Sequence, residues 1–380
     1  MLSLSNAASI DDLRLIAKRR MPKFAFDFID GGAEDEISLQ KNRSAFQEIE
    51  LLPKYLAGAS HPKLETEIFG KYYSVPFGVA PMGFLNMAWP GADMAMARLA
   101  AQNKLPYVVS SASSTSLEKI AQVADGNVWF QVYVSREDSV LNGLLKRAKN
   151  SEYEILVVTV DVPQPGKRDR DIRNKLHIPF RPTLKIITEL MLNPMWSLGT
   201  MLAGPPKFGN FELDSCEEVA ARPLAEIQKI FISPDFLWDD FRWLRDLWEG
   251  PVLLKGILHP EDAAKAIEEG CDGIIVSNHG GRQVDYGPAS IAVLPSIAAS
   301  VGDRVPLILD GGVRRGADII RAKALGASLV LVGRAFAYGA AAGTGGVYRS
   351  FNILESELRQ ALGQLGIHSY DLVNQDILMR

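Results

Sequence analysis

Cysteine is nearly absent from this 380-residue chain, which contains only Cys216 and Cys271. Two cysteines in unrelated contexts make neither a disulfide framework nor a zinc motif, so a reducing compartment is the simpler expectation. A strong excess of charge is also missing, because the formal net charge is -4 and both signs are scattered along the chain. We therefore expect no nucleic-acid partner.

Long apolar runs are missing as well. The N-terminus lacks a basic stretch followed by an apolar run, and no segment reaches about 18 uncharged apolar residues, so we expect neither a signal peptide nor a transmembrane helix. These absences predict a cytoplasmic protein. The hydrophobic fraction of 47% is nevertheless enough for a sizeable core, and the length suits one large α/β domain with extensions or two domains.

Eight short apolar runs rich in Val, Ile and Leu begin near residue 75, each followed by a small or polar loop and a helical stretch. The runs are Pro76–Ala80, Tyr107–Ser111, Val128–Val134, Ile155–Val160, Val252–Lys255, Gly273–Val276, Leu307–Leu309 and Leu329–Val332. Strands this apolar are buried on both faces, as in parallel sheets. Eight βα units predict an α/β fold of the (β/α)8 TIM-barrel type. A doubly wound sheet is the alternative, but Ala80-Pro81-Met82-Gly83 is not the glycine-rich loop it needs.

The organisation that we predict is a single domain over 1–380. Residues 1–74 form an N-terminal helical segment, with Ser9 as a helix cap, and residues 75–380 form the barrel. An insertion at about 172–240 lengthens the connection after strand 4 to roughly 90 residues, far beyond a normal barrel loop. Within it, Pro182–Gly204 is apolar with few charges. This segment is either a lid or oligomer contact, or an interfacial membrane anchor.

Polar residues gather directly after the predicted strands, at the end of a barrel where active sites lie. They are Gln131, Tyr133, Thr159, Asp161, Lys255, His279, Arg282, Asp310, Gly333 and Arg334. In the loop Ser277–Asp285, His279 can take a proton and Arg282 can grip a carboxylate with two hydrogen bonds. This pairing predicts proton abstraction from a small organic acid. Asp161 and Asp285 are both candidates for the carboxylate that orients His279.

Three further groups are candidates for anion chemistry. Arg168 is a possible second carboxylate clamp, with Arg170 as its rival. The loops Asp310–Arg314 and Gly333-Arg334 follow the last two strands, where barrels often bind phosphate. Lys255 ends an apolar strand, so it either stabilises negative charge on a ligand or forms a Schiff base.

Five stretches together carry a family resemblance. They are Asp30–Glu36, Trp129–Tyr133, Ser277–Asp285, Asp310–Arg314 and Gly333-Arg334. With them, the chain from about residue 8 onward resembles the FMN-dependent 2-hydroxy-acid oxidases and dehydrogenases. The stretches Gly31–Glu36, Arg168–Asn174 and Phe241–Trp248 look most like the bacterial, membrane-associated mandelate and L-lactate dehydrogenases.

The resemblance implies oxidation of an (S)-2-hydroxy acid to the 2-keto acid. His279 would be the base, paired with Asp161, and both carbanion and hydride-transfer mechanisms are discussed for the family. Arg168 and Arg282 would bind the substrate carboxylate and Tyr133 would hydrogen-bond the substrate. Lys255 would lie near flavin N1. The remaining expected FMN contacts are Ala80, Pro81 and Met82 beside N5, with Gly83 next to them; Ser110, Gln131 and Thr159 at the ring edge; Ser277 and Asp310 near the ribityl chain; and Gly312, Arg314, Gly333 and Arg334 at the phosphate.

Phe28 departs from the family pattern, which usually has tyrosine at this position to hydrogen-bond the substrate carboxylate. We therefore expect weaker affinity or a different substrate, and an FMN barrel acting on an unusual or peptide-derived substrate is one alternative. A Lys255 Schiff-base aldolase is another, and a non-catalytic binding barrel a third. Gly83 mildly favours a bulkier hydroxy acid.

The electron acceptor is open between oxygen and a quinone, or a cytochrome. Pro182–Gly204 favours a membrane acceptor, and with it peripheral contact on the inner face of the cytoplasmic membrane. A homotetramer is expected from the resemblance.

Overall fold

Three helices open the chain in the computed structural model, which describes residues 2–134, 137–175, 183–204, 206–211 and 235–379. They are α1 (Ile10–Arg20), α2 (Lys23–Asp30) and α3 (Ile37–Gln47). Ser9 caps α1 as predicted: its hydroxyl accepts the amide of Asp12, and the Asp12 carboxylate accepts the amide of Ser9. The predicted N-terminal segment also contains a two-stranded antiparallel hairpin of β1 (Thr66–Ile68) and β2 (Lys71–Tyr73).

Eight parallel strands close into a barrel in the order β10-β3-β4-β5-β6-β7-β8-β9, which confirms the (β/α)8 prediction. They are β3 (Phe77–Val79), β4 (Tyr107–Ser110), β5 (Val128–Tyr133), β6 (Leu156–Thr159), β7 (Val252–Ile257), β8 (Gly273–Val276), β9 (Leu307–Asp310) and β10 (Leu329–Val332). Each observed strand overlaps one predicted run, and the ends differ by at most two residues.

Helices alternate with the strands and cover the barrel. They are α4 (Ala92–Asn103), α5 (Leu117–Ala124), α6 (Asp138–Asn150), α7 (Asp169–Arg173), α8 (Leu184–Leu192), α9 (Pro194–Ala203), α10 (Trp238–Asp246), α11 (Pro260–Glu268), α12 (Ser290–Val301), α13 (Gly316–Ala324), α14 (Arg334–Ala342) and α15 (Gly346–Leu365). Of the predicted insertion at about 172–240, residues 176–182, 205 and 212–234 lie outside the described residues, as does Cys216. Cys271 is buried.

The barrel interior is filled with apolar side chains and is closed at its amino-terminal end by the β1–β2 hairpin. Trp129 of β5 donates its indole N–H to the Tyr73 hydroxyl of β2 at 3.0 Å, and Phe69 at the hairpin turn packs edge-on against the same indole. This packing leaves the carboxyl ends of the strands as the open end of the barrel. The side chains that follow the strands therefore meet around one cavity.

Candidate active site

A cavity of about 890 Å³ opens at the carboxyl ends of the strands, within the size range of pockets that bind cofactors and small ligands. It collects most of the residues that the sequence singled out. Those lining it are Phe28, Ala80, Pro81, Met82, Gly83, Tyr133, Arg168, Lys255, His279, Arg282, Asp310, Gly312, Arg314, Gly333 and Arg334. The other predicted site residues, Ser110, Gln131, Thr159, Asp161 and Ser277, are not among the lining residues. They lie at the strand ends around the cavity.

His279 is held between a carboxylate and a phenol. Its Nδ1 lies 2.9 Å from Oδ1 of Asp161, and its Nε2 lies 3.4 Å from the Tyr133 hydroxyl. An ionised Asp161 accepts the proton of Nδ1, which leaves Nε2 with its lone pair directed toward Tyr133 and the cavity. This is the arrangement of a general base with an orienting carboxylate.

Burial and neighbouring charges together shift the pKa values of His279 and Asp161. Desolvation lowers the pKa of His279, and this effect outweighs the Asp161 carboxylate, which raises it. The pKa of Asp161 is lowered although burial alone would raise it, because the protonated form of His279 and the Lys255 ammonium both favour the carboxylate. At neutral pH the imidazole is therefore neutral and able to accept a proton.

Asp161 reaches His279 because Gly256 makes room for it. A β-carbon at Gly256 would lie only 2.4 Å from the Asp161 β-carbon, and Gly256 has a φ of +109° at an irregularity in the pairing of β7 with β8. Any other residue would collide with Asp161 and would be strained in this backbone conformation. Gly256 is a site residue that the sequence analysis missed, although a glycine inside an apolar strand is a recognised sign of a bulge.

Lys255 makes an ion pair inside the barrel. Its ammonium lies 3.2 Å from Oδ2 of Asp310 and donates to the Ser277 hydroxyl at 3.0 Å. Burial by itself lowers the pKa of Lys255, but the negative charges of Asp310 and Asp161 outweigh it, so that the pKa is raised. The side chain thus remains an ammonium, whereas an amine that forms a Schiff base must lose its proton.

A short row of polar side chains crosses the neighbouring strand ends. The Ser110 hydroxyl donates to Oε1 of Gln131 at 2.7 Å, and Nε2 of Gln131 donates to the Thr159 hydroxyl at 2.9 Å. Parallel register sets Ser110 opposite Gln131 and Thr159 opposite Lys255. The row therefore leads to Lys255 and presents fixed donors and acceptors beside the cavity.

Arg282 and Arg334 are anchored by the carboxyl end of α2. Nη1 of Arg282 donates to the carbonyls of Phe28 and Gly31 at 2.9 and 2.8 Å. Arg334 donates to the carbonyls of Ile29, Gly31 and Gly280. Burial, and then the charges of Arg168 and Arg334, lower the pKa of Arg282. A guanidinium nevertheless stays protonated. The cavity therefore contains buried positive charges that repel one another, and these charges attract an anion.

The far end of the cavity has the features of a phosphate site. Gly333 precedes α14, and Nε of Arg314 is buried without a hydrogen-bond partner among the described residues. Gly312 has a φ of +86°, and a β-carbon there would overlap the Asn42 carbonyl. Open amides at a helix start beside two arginines suit a phosphate dianion. Together with the polar row and Lys255, this donor set fits FMN, which the sequence analysis predicts as the cofactor.

The structure separates the alternatives that the sequence left open. Asp285 does not face His279: its carboxylate accepts the amides of Asp35, Ile37 and Ser38 and so fixes the start of α3. Arg170 pairs with Asp30 and Glu36 away from the cavity. Arg168 lines the cavity, and its Nε is buried without a hydrogen-bond partner in the described part of the chain.

An aromatic wall bounds one side of the cavity. The ring centroids of Phe28 and Phe84 are 6.1 Å apart, and those of Phe84 and Phe208 are 5.0 Å apart. Phe84 and Phe208 were missed, because a phenylalanine in a loop carries no chemical signal in a single sequence. At Gly83 an added β-carbon would lie 2.9 Å from the Ala112 β-carbon. The contact with Ala112 thus favours glycine at this position, and the bulkier substrate expected from Gly83 stays a prediction.

The helices α8 and α9 expose an apolar surface. Leu184 is 86% exposed and Leu202 is 79% exposed, and the other exposed apolar residues here are Ile187, Met191, Leu192, Met195, Leu198 and Met201. The Trp196 side chain, in contrast, is buried and donates its N–H to the Met87 carbonyl. None of the helices in the described ranges combines the length and hydrophobicity needed to cross a bilayer.

Comparison with known proteins supplies a family. The sequence profile described as FMN-dependent dehydrogenase matches residues 17–380. The chain is 38% identical to (S)-mandelate dehydrogenase of Pseudomonas putida over 98% of this chain and 94% of that protein. It is 37% identical to L-lactate dehydrogenase of Caulobacter sp. (strain K31), over 98% of each chain. The solved structure of the monotopic membrane protein (S)-mandelate dehydrogenase superposes with a TM-score of 0.92 at 38% identity, covering 98% of this chain and 99% of that one.

Proposed function

The chain belongs to the family of FMN-dependent dehydrogenases, and from this premise we propose that it oxidises an (S)-2-hydroxy acid to the 2-keto acid. The observation that carries the proposal is the pairing of His279 with Asp161 in a cavity that Arg168 and Arg282 also line. A base beside two guanidinium groups suits a substrate that has an acidic proton next to a carboxylate. The relatives named as mandelate and L-lactate dehydrogenases support this substrate class.

The reaction removes two electrons and two protons from the hydroxy acid. FMN, when bound, would supply the acceptor for the electron pair and for the proton that His279 does not take. Arg168 and Arg282 bind and orient the substrate carboxylate, and Nε2 of His279 receives one proton, from C2 or from the hydroxyl group. Asp161 stabilises the imidazolium that results. Tyr133, 3.4 Å from Nε2, hydrogen-bonds the substrate oxygen.

The cofactor contacts that we propose follow the donors around the cavity. Lys255, Ser110, Gln131 and Thr159 would hold the polar edge of the ring system. Ala80, Pro81 and Met82 would border its reactive side. Ser277 and Asp310 would bind the ribityl chain, with Gly312, Arg314, Gly333 and Arg334 at the phosphate. Support comes from the buried, unpartnered Oδ1 of Asp310 and Nε of Arg314 within the described residues.

We infer that the substrate carries an aryl or long alkyl group. Phe28, Phe84 and Phe208 form an apolar wall of the cavity, with the Arg282 guanidinium over the Phe28 ring, and aromatic rings pack well against one another at centroid distances of 4.5–7 Å. Phe28 adds apolar surface where a tyrosine hydroxyl would add a donor. A mandelate-like acid therefore fits this cavity better than glycolate does.

The test is a panel of 2-hydroxy acids mixed without oxygen with the FMN-loaded protein. We expect loss of the yellow flavin absorbance with (S)-hydroxy acids, faster for aryl or long alkyl acids than for glycolate, and none with (R)-acids. Absence of bleaching with every acid would refute the proposal and favour an unusual or peptide-derived substrate. Trapping of a substrate carbonyl on Lys255 by borohydride would favour the aldolase instead.

We further infer that the apolar surface of α8 and α9 lies on a membrane and that the electron acceptor is a membrane quinone rather than oxygen. Exposed leucine and methionine side chains on a short helix pair suit the interfacial layer of a bilayer. The monotopic membrane nature of the mandelate dehydrogenase with the TM-score of 0.92 supports this inference. A homotetrameric assembly and action as one domain over residues 1–380 remain predictions from the sequence.

A further inference from the structure

One carboxylate in the cavity has no role in the mechanism above. Asp171 lies on α7, three residues after Arg168, and lines the cavity together with Arg168 and Arg282. It is partly buried, and the described residues give its side chain no hydrogen bond or ion pair. Burial raises the pKa of Asp171 and outweighs the charges of Arg282 and Arg168, which lower it. Asp171 places a carboxyl group on the wall of the cavity, beside the residues proposed to bind the substrate.

The other acidic residue on this short helix, Asp169, differs in its partners and in its position relative to the cavity. Asp169 is paired with Lys167 at 3.2 Å and with Arg173 at 2.9 Å. It is not among the residues that line the cavity. Asp169 is therefore neutralised by its ion pairs outside the cavity, whereas the Asp171 carboxyl group lines the cavity without an ion-pair partner among the described residues.

A substrate with two carboxylates would meet Asp171 with its second charge. The guanidinium groups of Arg168 and Arg282 bind the first carboxylate, as proposed above. Among the described residues that line the cavity, Lys167 is the one cation assigned neither to the substrate carboxylate nor to the cofactor, and it is paired with Asp169. A second carboxylate would then lie among Phe28, Phe84, Phe208 and Asp171. Like charges at short distance in a partly desolvated pocket repel strongly, and an unpaired anion against an aromatic wall is costly as well.

We propose that Asp171 is a specificity-determining residue, which excludes 2-hydroxy acids that carry a second anionic group and so restricts the enzyme to monocarboxylates. The proposal rests on the function proposed above, because it assumes that Arg168 and Arg282 hold the first carboxylate. It also gives a physical reason for a carboxylate beside an anion-binding pair, where it would otherwise only weaken binding.

The experiment compares two acids of equal chain length, (S)-2-hydroxybutanoate and (S)-2-hydroxybutanedioate, which differ by a methyl group against a carboxylate. Flavin reduction by each is followed without oxygen at about pH 8, where aspartate is ionised. The variants are Asp171→Asn, which removes the charge with little change in shape, and Asp171→Glu, which keeps it. Asp169→Asn removes the same charge from the same helix outside the cavity.

We expect the wild type and Asp169→Asn to favour the monocarboxylate strongly. Asp171→Asn should raise kcat/KM for the dicarboxylate relative to the monocarboxylate by roughly tenfold or more. Asp171→Glu keeps the charge and should retain the preference of the wild type for the monocarboxylate. If Asp171→Asn does not bind FMN, Asp171→Ser replaces it. An unchanged ratio in the charge-removing variant, or an equal change in Asp169→Asn, overturns this inference while leaving the proposed function intact. Failure of the wild type to be reduced by the monocarboxylate or by any other 2-hydroxy acid overturns the proposed function, and this inference with it.

Discussion

Nδ1 of His279 lies 2.9 Å from Oδ1 of Asp161, although 118 residues separate the two in the chain. The contact joins the loop after β8 to the loop after β6, across the irregular end of β7 where Gly256 leaves the space for Asp161. It fixes the imidazole with Nε2 toward the cavity and stabilises the positive charge that forms when His279 accepts a proton.

Replacing Asp161 by asparagine should therefore slow the reaction at the chemical step. An amide cannot stabilise the imidazolium and permits the wrong tautomer, so we expect the saturating rate of flavin reduction to fall by about 10²-fold or more. Anaerobic stopped-flow bleaching measures this rate. Asp285→Asn is the contrasting variant, because Asp285 bonds only backbone amides at the start of α3. It should lower the Tm and leave the saturating rate nearly unchanged, so an equal rate loss in both variants would contradict the assignment.

The pH dependence follows from the direction of the His279 pKa. Burial places this pKa below its ordinary value of 6.5, and only the neutral imidazole accepts a proton. The rate of flavin reduction should therefore be constant above neutrality and should decrease as pH falls through a value below 6.5. In Asp161→Asn the acid limb should move to still lower pH, because the carboxylate that raises the pKa is gone. Pre-steady-state rates across pH test both statements, and an acid limb centred above 6.5 would exclude His279 as the group that titrates.

Phe28→Tyr should strengthen carboxylate binding. The Arg282 guanidinium lies over the Phe28 ring, 5.5 Å from its centroid, so a hydroxyl on this ring would be added beside the anion-binding group. A hydrogen bond to a charged group is worth enough to lower KM by roughly tenfold. Steady-state kinetics with (S)-lactate measure the change. Phe84→Tyr adds the same hydroxyl to the neighbouring ring of the aromatic wall and should not lower KM. An unchanged KM in Phe28→Tyr would remove Phe28 from the explanation of affinity.

Lys255→Met should destabilise the protein through the partner that it leaves behind. The Asp310 carboxylate, 3.2 Å from the ammonium, would remain buried without its counter-charge. Loss of one partner of a buried ion pair costs about 3–5 kcal/mol. Urea unfolding of the purified protein measures the cost, and the double variant Lys255→Met/Asp310→Asn should recover part of it. No recovery in the double variant would mean that the ion pair is not the source of the stability.

Membrane contact should depend on the exposed apolar residues of α8 and α9. Changing Leu184, Met191, Leu192, Met201 and Leu202 to serine should lower cosedimentation with phosphatidylethanolamine–phosphatidylglycerol vesicles by at least roughly tenfold. Dye-linked activity should persist, since none of these residues lines the cavity. Leu372 and Met379, which are 61% and 63% exposed outside this segment, are the control sites. Equal vesicle binding by the wild type and the α8–α9 variant would refute the contact.

The sequence by itself determined the barrel and the end at which the site lies. Parallel strands covered by helices are buried on both faces, so each must be a short apolar run, and eight such runs with helical stretches between them specify closure. The same rule collects His279, Lys255 and Arg282 in one place, because each lies near or after the carboxyl end of a strand. For this reason fifteen of the predicted site residues line a single cavity.

Only the tertiary structure decided which residues act together within that site. Asp161 and Asp285 are equivalent as sequence candidates, as are Arg168 and Arg170, and the choice depends on loop paths across strands more than 100 residues apart. The aromatic wall of Phe28, Phe84 and Phe208, and the open charge of Asp171, also arise only when distant loops pack together. Hydrophobic periodicity records burial and local geometry, whereas the partner of a loop side chain is set by the close packing of the whole barrel.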